Sequence, residues 1–205
     1  MKKLNNYLFQ KRAQKYLIET PRSHRFVSYD KAKSILLLFE SDLQEKNVNI
    51  RKIIAQLQAD GKKVSAWGFI NKKEVETAIL PEFRILHHKQ TDFFKKPIQS
   101  FINELDGQEF DLMIDLSLQP IVPLEYIAMY AKATMKTGVH KTDLPIFDFV
   151  LDTEGIKATF QDAASTENSI DETYLFDQII FYLKAYKLKI KAVLLQTNCI
   201  PYTDD

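Results

Sequence analysis

Ile35-Leu36-Leu37-Leu38-Phe39 is an unbroken apolar run between Ser34 and Glu40. Successive side chains of a strand point to opposite faces, so a run with no polar member describes a strand covered on both sides. Such a strand belongs in a parallel sheet sandwiched between helices, and the chain downstream has the matching rhythm. Val48, Ile50, Ile53, Ile54 and Leu57 recur at helical spacing over 47–59, and Gly61 stands where a left-handed helix cap is needed. Residues 64–70 read as a second strand and 83–87 as a third. A short helix over 98–105 is closed by Asp106-Gly107. The fourth strand, Phe110-Asp111-Leu112-Met113-Ile114-Asp115-Leu116, is the clearest after the first. Pro123 then opens a helix at a position where a missing amide costs nothing. A fifth strand over 135–139 precedes a sixth over 146–151, and Asp171-Glu172 starts a last helix.

Strand and helix alternate from residue 34 to about 139, which implies right-handed crossovers and helices on both faces of the sheet. The expectation is an α/β, three-layer, Rossmann-like domain with a mostly parallel sheet over residues 34–190. A basic helical arm and linker, 1–33, precedes it, and a tail, 191–205, follows that reads equally as strand or coil. Residues 152–169 are polar and irregular.

Working outward from this pattern, 45% hydrophobic and 27% charged residues in 205 suit one globular domain with a sizeable core. Cys199 is the only cysteine, so no internal disulfide forms. No apolar segment follows Met1-Lys2-Lys3, and nowhere is there a run of roughly 18 apolar residues. These features predict a cytoplasmic protein without a transmembrane segment.

The net charge of +1 hides an asymmetry. Residues 1–33 carry nine Lys or Arg against Glu19 and Asp30, a net of +7, which leaves −6 for the rest. Residues 2–19 read as a helix with Leu4, Tyr7, Leu8, Ala13, Tyr16 and Leu17 mostly on one side, ended by Thr20-Pro21. A helix of this kind suits an anionic partner, either a membrane surface or RNA phosphates, or a second copy of the chain. The plainer alternative has its apolar side packed on the chain's own acidic domain with the lysines in water, as marginal helices usually need.

Open α/β sheets bind ligands at the carboxyl ends of their strands, near the point where strand order reverses. The residues standing there are Glu40, Ser41 and Asp42 after the first strand, Gly68 and Asn71 after the second, and His87 and His88 after the third. Asp115 and Ser117 end the fourth, while Gly138, His140 and Lys141 end the fifth. From these, Asp42, Asp115, Ser117, Gly138 and His140 are the candidate ligand-binding residues. The loop from Glu40 to Lys46 has no glycine, so it cannot bring backbone amides close to a phosphate, and no nucleotide cofactor is implied. Glu40 and Asp42 read as a solvated acidic loop in preference to a divalent-ion site. His87 and His88 are adjacent on a strand and face opposite ways, so they do not grip one ion, and no metal is expected. Asp115 is the strongest polar candidate, as a base or as the partner of a substrate hydroxyl, with helix capping as the alternative. Ser117 lacks the flanking glycines of a nucleophile elbow, and Cys199 has no histidine near it in sequence.

The stretch from Phe110 to Leu116, followed by a helix and then Ala133-Thr134-Met135-Lys136-Thr137-Gly138, resembles the amino-terminal half of heptosyltransferase-type glycosyltransferases. There an Asp-Leu-x-Ile-Asp-Leu strand precedes a helix and a short strand ending in glycine. The resemblance spans roughly 30 residues. It departs at Phe39-Glu40-Ser41-Asp42, which lacks the family's Gly-Asp turn, and the chain is too short for the second, nucleotide-sugar-binding half. The resemblance therefore implies a lone acceptor-side domain. The whole-chain pattern is similar to a small bacterial family of uncharacterised α/β proteins. Three functions follow from these readings: a non-catalytic or weakly catalytic domain for a small-molecule ligand, a glycosyltransferase-like enzyme acting on a sugar or nucleotide, and an adaptor working through residues 1–33.

Overall fold

In the computed structural model, which describes residues 2–41, 45–71, 83–141, 144–152 and 170–197, six strands form one sheet. They are β1 (Ser34–Glu40), β2 (Lys63–Ile70), β3 (Phe83–His87), β4 (Glu109–Asp115), β5 (Lys132–Val139) and β6 (Phe149–Leu151). Their order is β3-β2-β1-β4-β5-β6, and every neighbouring pair is parallel. This is the doubly wound Rossmann order, and its direction reverses between β1 and β4. The sheet is thus wholly parallel, and a helix, α1 (Lys2–Glu19), precedes the first strand.

The apolar run of β1 occupies the centre because only a strand covered on both faces tolerates it. Ile35, Leu37 and Phe39 join one core cluster with Ile50, Ile53 and Leu57 of α2 (Glu45–Ala59) and with Leu175, Phe176, Ile179 and Leu183 of α5 (Glu172–Thr197). Leu36 and Leu38 join a second cluster on the other face. That cluster includes Phe101 of the short helix α3 (Gln99–Ile102), Leu124, Tyr126 and Ile127 of α4 (Val122–Tyr130), and Phe9 and Ala13 of α1. All five residues of the run are fully buried, each contributing about 1.5–3 kcal/mol of burial relative to exposure.

Asp111 fixes the register of β1 against β4. Its carboxylate accepts from the Lys33 and Ser34 amides at 2.7 and 2.9 Å, and its own amide donates to Ser34 Oγ at 3.0 Å. Those contacts hold its carboxyl below the usual range. Gly61 has φ +73, the left-handed cap expected after α2.

The structure departs from the sequence reading in three places. Leu4 and Tyr7 of α1 are half exposed, and the buried members are Phe9 and Ala13, with Tyr16 and Leu17 partly covered. Phe9, Ala13 and Tyr16 lie four and three residues apart, and Leu17 four from Ala13, as the helix period requires, and the Phe9 ring meets Tyr126 edge-on at 4.9 Å. The helix therefore packs on α4 through the expected Ala13, Tyr16 and Leu17 joined by Phe9, while Leu4 and Tyr7 of its first turns face outward. Strand β6 is shorter than 146–151, because Ile146 turns back to Leu144 O and gives its own carbonyl to Arg22. Residues 191–197, ambiguous in sequence, continue α5. No helix among the described residues is long and apolar enough to cross a membrane.

Candidate functional site

The reversal point brings three of the five sequence candidates together. Asp115 is the last residue of β4 and pairs in register with Leu38 of β1, so its side chain stands at the carboxyl edge where the strand order reverses. Ser117, two residues on, closes a tight local loop: its amide and hydroxyl both donate to Asp115 Oδ1, at 2.9 and 2.5 Å. Gly138 supplies the room. A Cβ at that position would stand 3.1 Å from Asp115 O and 3.2 Å from Asp115 Cβ, tighter than nearly all real contacts. Glycine thus lets β5 press against the end of β4.

Of the other two candidates, His140 stands apart from them. His140 has an exposed side chain, and its amide continues the β5–β6 pairing by donating to Leu151 O at 3.0 Å. Asp42 lies outside the described residues. His87 and His88 are both partly buried at the end of β3, where the His87 amide donates to Gln90 Oε1. No three His, Cys, Asp or Glu side chains group as a metal site among the described residues.

Two residues that the sequence did not single out complete the cluster. Lys141, just beyond β5, donates from Nζ to Asp115 Oδ2 and to Ser117 Oγ, both at 2.7 Å. Its side chain is 1% exposed and that of Asp115 0%. Glu125, in the first turn of α4, is buried too. Burial pushes its carboxyl up to about 7; the Lys141 charge works against that shift and the Asp115 charge adds to it. A lysine in a loop after a strand reads as a solvated charge, and a glutamate in a helix's first turn reads as a dipole partner. The one available signal was position, since Lys141 stands among the residues following the fifth strand.

The hydrogen bonds define what the cluster can do. Asp115 accepts three donors, and the Ser117 hydroxyl spends its proton on Asp115 while accepting from Lys141. The Ser117 hydroxyl is turned to Asp115 and bound by Lys141, so it belongs to a polar network closed on itself. Lys141 has three donors, of which two are engaged with these acceptors. Glu125, with a carboxyl near 7, can give or take a proton at neutral pH.

A second buried lysine lies on β5 itself. Lys136 donates to Ala128 O at 2.6 Å and Met129 O at 3.2 Å, the last carbonyls of α4. Burial lowers its amine to about 7; the Arg22 charge lowers it further, and Asp148 works the other way.

No curated protein and no solved structure matches the chain, so the resemblance to heptosyltransferase-type glycosyltransferases finds no support beyond its strand motif. Residues 5–163 do match one family, and that span holds all six strands and the whole Asp115–Ser117–Glu125–Lys141 cluster: the chain belongs to DUF6913, a family of unknown function.

Proposed function

We propose that this chain is a small-molecule-binding α/β domain whose ligand docks at the carboxyl edge of β4 and β5, against Lys141 and Glu125. The observation that carries this reading is a lysine, an aspartate and a glutamate buried together at the reversal of strand order. Sealing charges inside a protein is expensive, and a buried ion pair is weak evidence for stability, since apolar replacements often serve as well. A neutral-range carboxyl beside it adds a group suited to handling a proton.

The ligand chemistry follows from the unspent groups. The third Nζ–H of Lys141 donates to a carbonyl or hydroxyl oxygen, and Glu125 exchanges a proton with a hydroxyl or amine. The paired charges of Asp115 and Lys141 leave no cationic excess, so a neutral polar ligand fits better than a phosphate. The side chains of Asp115 and Lys141 are closed to solvent, so a ligand reaches them only as a neighbouring segment moves. The lone cysteine suits action in a reducing cytoplasm.

A thermal-shift screen against polyols, sugars, nucleosides and amino acids tests this reading. At 100 times its dissociation constant, a ligand adds about 2.7 kcal/mol of stability. The expected result is a hit that Glu125→Gln weakens at least tenfold. A flat screen, or a hit indifferent to both Glu125→Gln and Asp115→Asn, overturns it.

A further inference from the structure

A cleft of about 790 Å³ opens at the β6 end of the sheet, away from the Asp115 cluster. Phe26 of the linker, Phe147 and Phe149 before and in β6, and Phe181 and Tyr182 of α5 line it. Its aromatic walls are unusually open: Phe181 is 62% exposed, Tyr182 47% and Phe26 41%. Phe149 meets Tyr182 at 5.8 Å and Tyr182 meets Phe181 at 5.4 Å, so the rings form one continuous surface. A cavity of this size with apolar walls matches what drug-sized ligands occupy.

The polar groups at its rim have an unequal state of satisfaction. The Asp148 carboxylate accepts from Arg22 Nη2 at 2.8 Å on both oxygens, from the Lys136 amide at 2.7 Å and from His24 Nδ1. It has no capacity left for a ligand's donors. Arg25 also lines the cleft, with an exposed side chain that makes no ion pair or hydrogen bond among the described residues. With Asp148 taken up by Arg22, the guanidinium of Arg25 gives the rim a positive charge that no described residue matches. His24, engaged through Nδ1, still presents Nε2.

We infer that this cleft is a binding site for an amphipathic organic anion, a small molecule with a flat aromatic body and a carboxylate or sulfonate head. The rings of Phe26, Phe149, Phe181 and Tyr182 cover the body, and Arg25 takes the head in a charge-assisted hydrogen bond. This site is independent of the one at Asp115 and Lys141, so either proposal can fail alone.

The test uses the full chain and 1-anilinonaphthalene-8-sulfonate, with uncharged N-phenyl-1-naphthylamine as the matched neutral probe. The expected result is saturable 1:1 binding of the sulfonate, at least tenfold tighter than the neutral probe. Arg25→Ala should abolish that preference, and Phe181→Ala should weaken both probes about tenfold. Both side chains are exposed, so both variants fold, and an unchanged melting temperature checks this. Tyr7→Ala, which removes an exposed ring elsewhere, should leave binding unaltered. Binding equal for the two probes, or insensitive to Arg25→Ala and Phe181→Ala, overturns the inference. So does a concentration-dependent dimer that Phe181→Ala dissolves, because a second copy is then the occupant.

Discussion

Lys136 and Lys141 leave the same stretch of chain five residues apart, both buried, and they meet different ends of one helix. Lys136 reaches the last carbonyls of α4, where the helix dipole is negative and a cation is welcome. No carboxylate is among the acceptors of its Nζ, and burial leaves its amine half-neutral near pH 7. Lys141 acts on the opposite end, beside Glu125 of the first turn, where the dipole disfavours a cation. It is held there by Asp115 and Ser117. The first lysine finishes a helix that would otherwise end in bare carbonyls. The second is tied to other buried polar groups that apolar residues could replace together with it, which is why the function is proposed at Lys141.

The largest test of that contrast removes Lys141 alone. Lys141→Met strands the Asp115 carboxylate in a site with no access to water, and losing one partner of a buried pair destabilises by about 3–5 kcal/mol. For a chain of this size that lowers the melting temperature by roughly 10 °C. The double variant Asp115→Leu/Lys141→Met should recover most of the loss. Calorimetry that finds Lys141→Met as stable as the wild type would remove the distinction between the two lysines.

The next effect is a pH dependence of Glu125. Its folded-state carboxyl, near 7, lies above the ordinary 4.5, so between those values the folded chain keeps a proton that the unfolded chain has lost. Stability therefore declines as pH rises through this window, by ~3 kcal/mol in all. Glu125→Gln should flatten that decline, seen as a variant more stable than wild type at about pH 8 and nearly equal to it at about pH 4.5 in urea unfolding.

Lys136 gives the opposite sign. Its folded amine, near 7, lies below the ordinary 10.5, so above neutrality the unfolded chain binds the extra proton and stability rises with pH. Between about pH 7 and 9 the gain is about 2 kcal/mol. Lys136→Met should abolish this rise, and its unfolding curves should be parallel to those of the wild type only below about pH 6. A wild-type profile with no rise there shows that the carbonyls of Ala128 and Met129 keep the amine charged.

The smallest effect sharpens the geometry of the site. Gly138→Ala places a methyl 3.1–3.2 Å from Asp115 and Phe147, and such overpacking destabilises by about 1–2 kcal/mol. It should also weaken any ligand found at Lys141, whereas a substitution near Lys136 should not. Parallel stability and binding measurements on the variant separate the two effects.

The layered parallel sheet was legible because its signals are local. The all-apolar run 35–39, the helical spacing over 47–59 and Gly61 each state their conformation without help from distant chain, and the strands they imply are present. Phe9 was missed because a single aromatic among Asn6, Gln10 and Lys11 gives little periodic signal. Only contact with Tyr126 shows which stripe of α1 is covered. The apolar character of Ile146 reads as strand, while Arg22, more than a hundred residues away, holds its carbonyl outside the ladder.

The candidate site divides in the same way. Asp115 and Ser117 were legible from sequence, since a carboxylate ending an apolar strand announces its place at the edge of a sheet. Glycine at 138 was legible as a residue and not as a reason, because the close approach of β5 to Asp115 is a relation between two strands. Glu125 carries no local mark, and Lys141 only its place after the fifth strand, so in sequence both read as ordinary surface charges. The sequence by itself determined the order of strands and helices, because hydrophobic period and backbone preference act over a few neighbours. Tertiary structure alone decided which charges are buried and with whom, because desolvation and ion pairing depend on groups brought together from three separate elements.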